Sequence, residues 1–252
     1  MALDGFDLAH KDAFAGFSPR SCERLSNLVD RLGDRLHVEL HGVERIPKGR
    51  AVLVANHAFG IWDLAFGAAR IHHLTGRTVW SLGEHLWWKI PVVRRVASAV
   101  GIVDGTPENA DALLQREELL LVLPGGLREA MKPHELRYRL LWGHRYGFVR
   151  AAMRNRAPLV PLACIGGDDI FELVGNPYAR GKRLHLGIPI PWPHHFLPRR
   201  VKLRFIVGDP IDISSRGSAD DLDSVKSVRR EIEGALHELI EIELARQAGF
   251  FA

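Results

Sequence analysis

Apolar residues follow two rhythms along this chain, and each rhythm predicts a different kind of element. Residues 36–40, Leu-His-Val-Glu-Leu, alternate apolar with polar and predict a strand. Residues 51–55, 119–123 and 158–165 are nearly unbroken apolar runs, as expected of strands covered on both faces. Residues 78–82, 101–103 and 201–207 read as further strands. Between them the spacing turns helical over 21–32, with Leu25, Leu28 and Val29 on one face, and over 62–74, which Gly76 ends. Residues 85–100 form a mostly apolar helical stretch broken at Pro91. Pro107 opens a helix running to about Arg116, and 146–154 looks helical. From near Asp220, Leu222, Val225, Val228, Ile232, Ala235, Leu236 and Leu239 recur at three and four residues. That stripe predicts a long amphipathic helix packed back on the sheet.

Strands alternating with helices predict an α/β fold, a single domain with a mostly parallel central sheet flanked by helices. Residues 1–35 read as a loose lead-in and a helix, 36–212 as the body of the domain, and 213–252 as the returning helix. Prolines and glycines crowd 175–200, so an irregular excursion is expected there, with one strand at 184–187. In such folds ligands collect beyond the carboxyl ends of the strands.

Two of the predicted strands run directly into residues with chemistry to offer. The run at 51–55 leads into Asn56-His57-Ala58-Phe59-Gly60-Ile61-Trp62-Asp63. A neutral imidazole removes a proton from an alcohol when a carboxylate holds its other nitrogen. Asp63 lies close enough to His57 in sequence to do so if a helix begins between them. The competing reading is local: Asn56 caps that helix, Asp63 complements its dipole and His57 is a turn residue. The run at 119–123 leads into Pro124-Gly125-Gly126-Leu127-Arg128-Glu129-Ala130. Gly125 and Gly126 let backbone N–H groups approach an oxyanion or phosphate. Arg128 can clamp an anion through two donors, and Glu129 can pair with it or orient a hydroxyl. A strand-end turn with an exposed charge pair is the plainer alternative.

Composition narrows the partners. The chain has 252 residues, 46% of them apolar and 25% charged, with a formal net charge of +4. That charge suits an anionic small substrate or an anionic lipid surface and is too weak to argue for nucleic acid. The two cysteines, Cys22 and Cys164, lie far apart, so no disulfide framework is expected and a reducing, cytoplasmic location is. The first residues are acidic where a signal peptide would be basic, and no run reaches about 18 apolar residues, so no transmembrane helix is expected. Trp87, Trp88, Arg94 and Arg95 belong to a stretch that mixes tryptophans, aliphatics and cations. It suits a peripheral membrane contact or the wall of an acyl channel, with an ordinary core helix as the alternative. The pairs His72-His73 and His194-His195 lack the companions of a zinc site, and no metal is expected. A serine-nucleophile elbow, a P-loop and a dinucleotide fingerprint are all absent.

Taken together and in order, Asn-His followed by Asp63, then Pro-Gly-Gly-x-Arg-Glu-Ala, resemble the glycerolipid and lysophospholipid acyltransferase family. Residues 157–163, an apolar strand with paired prolines, resemble a further block of it. The resemblance spans roughly residues 36–212. The His-to-Asp spacing is one residue longer than is usual there, and Gly125 stands where a glutamate is usual. Pro-Gly-Gly with a later Glu is closer to the diacylglycerol-acyltransferase-like branch. The resemblance implies transfer of a fatty acyl group from acyl-CoA, or acyl-carrier protein, to a lipid alcohol such as a lysophospholipid or acylglycerol. His57 would be the general base, Asp63 its orienting partner, and Gly125, Gly126, Arg128 and Glu129 substrate contacts, with no cofactor beyond the acyl donor. Two other readings stay open: a catalytically silent lipid- or acyl-CoA-binding protein, and a thioesterase-like hydrolase.

Overall fold

The computed structural model describes residues 14–184, 189–195 and 197–249, and only the backbone of Leu86 and Trp87. In chain order its elements are α1 (Pro19–Arg35), β1 (Glu39–His41), β2 (Ala51–Ala55), α2 (Trp62–Thr75), β3 (Val79–Gly83), α3 (His85–Trp88), α4 (Pro91–Ala99) and β4 (Ile102–Asp104). There follow α5 (Pro107–Gln115), β5 (Leu119–Val122), α6 (Gly126–Ala130), α7 (Gly147–Arg154), β6 (Leu159–Ile165), α8 (Gly167–Ile170), α9 (Pro177–Arg183), β7 (Arg204–Val207) and α10 (Leu222–Gln247).

The strands form one sheet in the order β1-β7-β6-β2-β5-β3-β4. All neighbours are parallel except β6 and β7. The three apolar runs become the central strands β5, β2 and β6, and every residue of each is buried. Their side chains alternate between two core layers. Val52, Val54, Leu120 and Val122 pack with the stripe Val225, Val228, Ile232, Leu236 and Ile240 of α10 and with α5 and α7. Leu53, Ala55, Leu121 and Leu162 pack on the other face against Phe66 and Ile71 of α2 and against Phe205. The long helix predicted at the C-terminal end is therefore the cover of one face. Asp221 caps it by accepting the Ser224 N–H at 3.0 Å.

Several local expectations need correction. β1 begins at Glu39, because the chain leaves α1 through His37 at φ 56° and the Val38 N–H returns to the Gly33 carbonyl at 2.8 Å. α1 turns Cys22, Asp30 and Gly33 inward, while Leu25, Leu28 and Leu32 face out. Residues 126–130, 167–170 and 177–183 are short helices where loops or turns were expected. In α9 the Asn176 side chain accepts the Tyr178 and Ala179 N–H groups. The break at Pro91 falls where expected, between α3 and α4. The strand expected at 184–187 and the lead-in at 1–13 lie outside the described residues. Both cysteines are buried and free. Among the described residues, no helix is long and apolar enough to cross a membrane.

Candidate active site

β6, β2 and β5 are adjacent and parallel, so their carboxyl ends share one edge of the sheet and the loops that follow them meet. Asn56 begins the first loop. It does not cap α2. Its side-chain N–H donates to the Cys164 carbonyl at 2.9 Å and its oxygen accepts the Cys164 N–H at 2.8 Å. That two-way bond ties the end of β2 to β6.

His57 follows, with Nδ1 2.6 Å from Asp63 Oδ2. Asp63 Oδ2 also accepts the Ala58 N–H at 2.8 Å, and Oδ1 accepts the Leu64 N–H at 2.8 Å. A carboxylate so placed only accepts, so Nδ1 carries the donated hydrogen, and in the neutral ring the lone pair is on Nε2. The side chains are 14% and 3% exposed. Burial is the largest influence on the ring and disfavours its charge. The charge and hydrogen bond of Asp63, with Glu129 beyond, outweigh it against a smaller opposing effect of Lys132. His57 therefore holds a proton more tightly than an ordinary histidine.

The second loop differs from expectation in two respects. Glu129, expected among the substrate contacts, is fully buried. Its Oε1 accepts the His57 N–H at 2.7 Å and its Oε2 accepts the Leu141 N–H at 2.8 Å. Burial pushes its carboxyl above the usual range, against the charge of Lys132 and those two bonds. Gly125 is required by this glutamate, since a Cβ there would come within 2.2 Å of the Glu129 side chain. The Gly126 N–H, expected to face an anion, donates to the Leu123 carbonyl at 2.9 Å, and its residue opens α6 at φ +51°. Arg128 is exposed, next in sequence to the buried Glu129 on α6.

Arg145, Lys132 and Tyr138 escaped sequence reasoning, and Gly166-Gly167-Asp168-Asp169 read as a strand-end turn that could also line the cleft. Arg145 donates to the Pro124 carbonyl at 3.1 Å and also to that of Gly125, holding the glycine turn. Lys132 donates to the His57 carbonyl at 2.6 Å and pairs with Asp168 Oδ1 at 2.7 Å. Asp168 Oδ2 accepts the Tyr138 N–H at 2.6 Å. The Tyr138 hydroxyl donates to Asp169 and accepts the Gly166 N–H at 2.9 Å. Burial raises the Asp168 carboxyl, opposed chiefly by Lys132. Gly166-Gly167-Asp168-Asp169 after a buried strand was a visible signal; Lys132, in a polar stretch, offered none. No group of three or more His, Cys, Asp or Glu side chains suited to a metal occurs among the described residues.

Away from this edge, the side chain of Trp88 lies against Gly83 at the end of β3. Arg94 and Arg95 are exposed on α4 beside Val92 and Val96. The Trp87 side chain lies outside what the structure describes.

The architecture is that of a glycerolipid acyltransferase fold. The 1-acyl-sn-glycerophosphate acyltransferase PlsC of Thermotoga maritima superposes with a TM-score of 0.55 at 19% identity, over 85% of this chain and 79% of that one. The profile of the diacylglycerol acyltransferase family matches residues 22–186, and the chain belongs to that family. It is 30% identical over 188 residues to a mouse protein named "DGAT1/2-independent enzyme synthesizing storage lipids", covering 73% of this chain and 55% of that protein. An uncharacterized Mycobacterium tuberculosis protein is 32% identical over 223 residues, covering 81% of this chain and 62% of its own length. The chain thus spans little more than half the length of these relatives.

Proposed function

We propose that the protein transfers a fatty acyl group from an acyl-CoA or acyl-carrier-protein thioester to a lipid alcohol. The observation that carries this reading is the buried His57–Asp63 pair at the carboxyl edge of the sheet, at 2.6 Å. Nε2 of His57 takes the proton of the acceptor hydroxyl as its oxygen attacks the thioester carbonyl. The tetrahedral intermediate collapses, the C–S bond breaks, and the imidazolium returns its proton to the departing thiolate. Asp63 stabilises the imidazolium between these steps. Glu129 and Arg145 act behind this chemistry by holding the His57 loop and the glycine turn. Arg128, exposed on α6, is the candidate contact for a phosphate or other anion of donor or acceptor. The chemistry needs no metal or cofactor beyond the thioester.

The substrates are lipidic, and the surface suits a lipid interface. Leu25, Leu28 and Leu32 form an exposed stripe on α1 flanked by Arg24, Arg31 and Arg35. The start of α1 is tied to the end of α4 by the bond from the Ser18 N–H to the Ala99 carbonyl. Apolar side chains beside exposed arginines are the pattern of a peripheral contact with an anionic membrane.

The test is release of free thiol from acyl-CoAs of several chain lengths, with and without lysophospholipids and mono- and diacylglycerols, with products identified by mass. Release that depends on an acceptor in the wild type and vanishes in His57→Ala supports the reading. Release at the same rate without acceptor makes the protein a hydrolase. Donor binding without turnover, unchanged in His57→Ala, makes it a binding protein.

A further inference from the structure

The acyl-transfer steps above do not call on Lys132, yet its side chain is only 2% exposed and its partner Asp168 only 6%. A buried ammonium is unfavourable unless its hydrogens find acceptors. This one finds the His57 carbonyl at 2.6 Å, Asp168 at 2.7 Å and, at 3.4 Å, the Glu129 carbonyl. Glu129 lies in the last turn of α6 and Lys132 two residues beyond the helix, where its N–H donates back to the Glu129 carbonyl at 3.2 Å. There Glu129 takes the N–H of His57 and Lys132 gives to its carbonyl. The end of α6 and the residue just past it therefore grip the His57 residue from both sides while Asp63 holds the ring.

The charges around the ring are uneven. Asp63 faces it from α2 and Glu129 acts on it from α6, while Asp168 on α8 is linked to the His57 residue through Lys132. Tyr138 and Asp169 form a pair beside Asp168, and burial pushes the Cys164 thiol on β6 well above the usual thiol range. Among the described residues of this group, Lys132 is the one cation. Without it the surroundings of His57, which already hold the ring's proton more tightly than usual, would favour imidazolium further, and imidazolium has no lone pair with which to take a proton.

We propose that Lys132 is a positioning residue for the acyl-transfer chemistry, gripping the His57 carbonyl and offsetting the surrounding carboxylates so that the imidazole stays free to accept a proton. The inference rests on the base role proposed for His57. It also gives the buried Lys132–Asp168 pair a purpose other than stability, which such pairs often do not supply.

The test compares wild type, Lys132→Met and the double variant Lys132→Met/Asp168→Asn, each first checked for cooperative thermal unfolding. The double variant removes both charges of the pair, and the amide oxygen it introduces can still accept the Tyr138 N–H. The His57 ring is titrated by NMR in histidine-labelled protein without substrate, its signal assigned by its loss in His57→Ala. In Lys132→Met the titration midpoint is expected to move up by roughly one pH unit. At neutral pH kcat is expected to fall by about 10- to 100-fold with the KM for acyl donor changed less than about twofold, and raising the pH recovers part of the loss. In the double variant the fall in kcat remains and the midpoint moves less. A folded Lys132→Met with an unshifted midpoint overturns the proposal, and so does a folded double variant with wild-type kcat. If Lys132→Met does not fold, the double variant decides alone. If wild type transfers no acyl group to any acceptor, the acyl-transfer reading falls, while the ring titration still reports the hold of Lys132 on His57.

Discussion

His57 and Arg128 follow neighbouring strands, β2 and β5, and are held in opposite ways. The N–H, carbonyl and Nδ1 of His57 are each engaged by a buried charged side chain. Arg128 is exposed, and its guanidinium lies near Gly143 at the surface. A group that must move a proton gains from being fixed before the substrate arrives, because its geometry then costs nothing at the moment of reaction. A group that meets an anion of variable shape gains from freedom. The difference separates the loop that would do chemistry from the residue that would only bind.

That separation can be broken by mutation. The largest expected effect is at His57→Ala, where kcat/KM falls by about 10³-fold or more with thermal stability little changed; near-wild-type turnover would remove the general base. Asp63→Asn follows, with a loss on the order of 10²-fold or more. The pH profile carries the sign. Wild-type kcat/KM rises with pH as His57 loses its proton, through a value above the ordinary histidine range. Asp63→Asn removes the carboxylate that holds that proton, so the rising limb moves to lower pH even as the maximum falls. A limb that stays in place would mean that Asp63 does not act on the ring.

Glu129→Gln is expected to act on stability as well as rate. A side-chain amide has one acceptor oxygen, so one of the His57 and Leu141 N–H groups would face an NH₂ group. The cost is about 1–3 kcal/mol in chemical denaturation, and an unchanged midpoint would mean that the grip on His57 is dispensable. Arg128→Ala should leave stability within about 0.5 kcal/mol and raise the KM of an anionic substrate about tenfold, with kcat held. A loss confined to kcat would move Arg128 into the chemical step. The smallest effect is on Leu28→Glu, which should weaken sedimentation with anionic vesicles several-fold and leave the melting temperature in place. Unchanged vesicle binding would detach α1 from the membrane.

The same pair of loops shows what was legible in the sequence. The apolar runs at 51–55, 119–123 and 158–165 became the three central strands, Ala51–Ala55, Leu119–Val122 and Leu159–Ile165, because a strand covered on both faces has no polar position to place. The stripe on α10 was legible for a related reason, since Val225, Val228 and Ile232 all reach the core. α1 has an apolar stripe of similar spacing, and its leucines point outward. Periodicity reports that a helix has a face; it does not report what covers it. In the site, His57 and Asp63 lay close in sequence on one loop and one helix turn, and they meet. Glu129 and Gly125 were legible as residues but their packing against each other was not, because it is a tertiary fact. Lys132, Asp168 and Tyr138 come together only when the loops after β5 and β6 fold over the edge of the sheet, and no local pattern encodes that.

The sheet order has a consequence for how the chain is made. Among the described residues β1 is an edge strand paired with β7, with Glu39 aligned to Arg204. β7 leaves the ribosome after β2 to β6, so β1 must wait unpaired while all of these are synthesised. Pairings of such long sequence separation are slow to form, and until β7 arrives the outer side of β6 is exposed as well. Between the emergence of β6 and that of β7 the nascent chain therefore carries an open, apolar strand edge. Chains halted between β6 and β7 should be the species that aggregate or recruit chaperones, even though the proposed catalytic pair of His57 and Asp63 has already emerged.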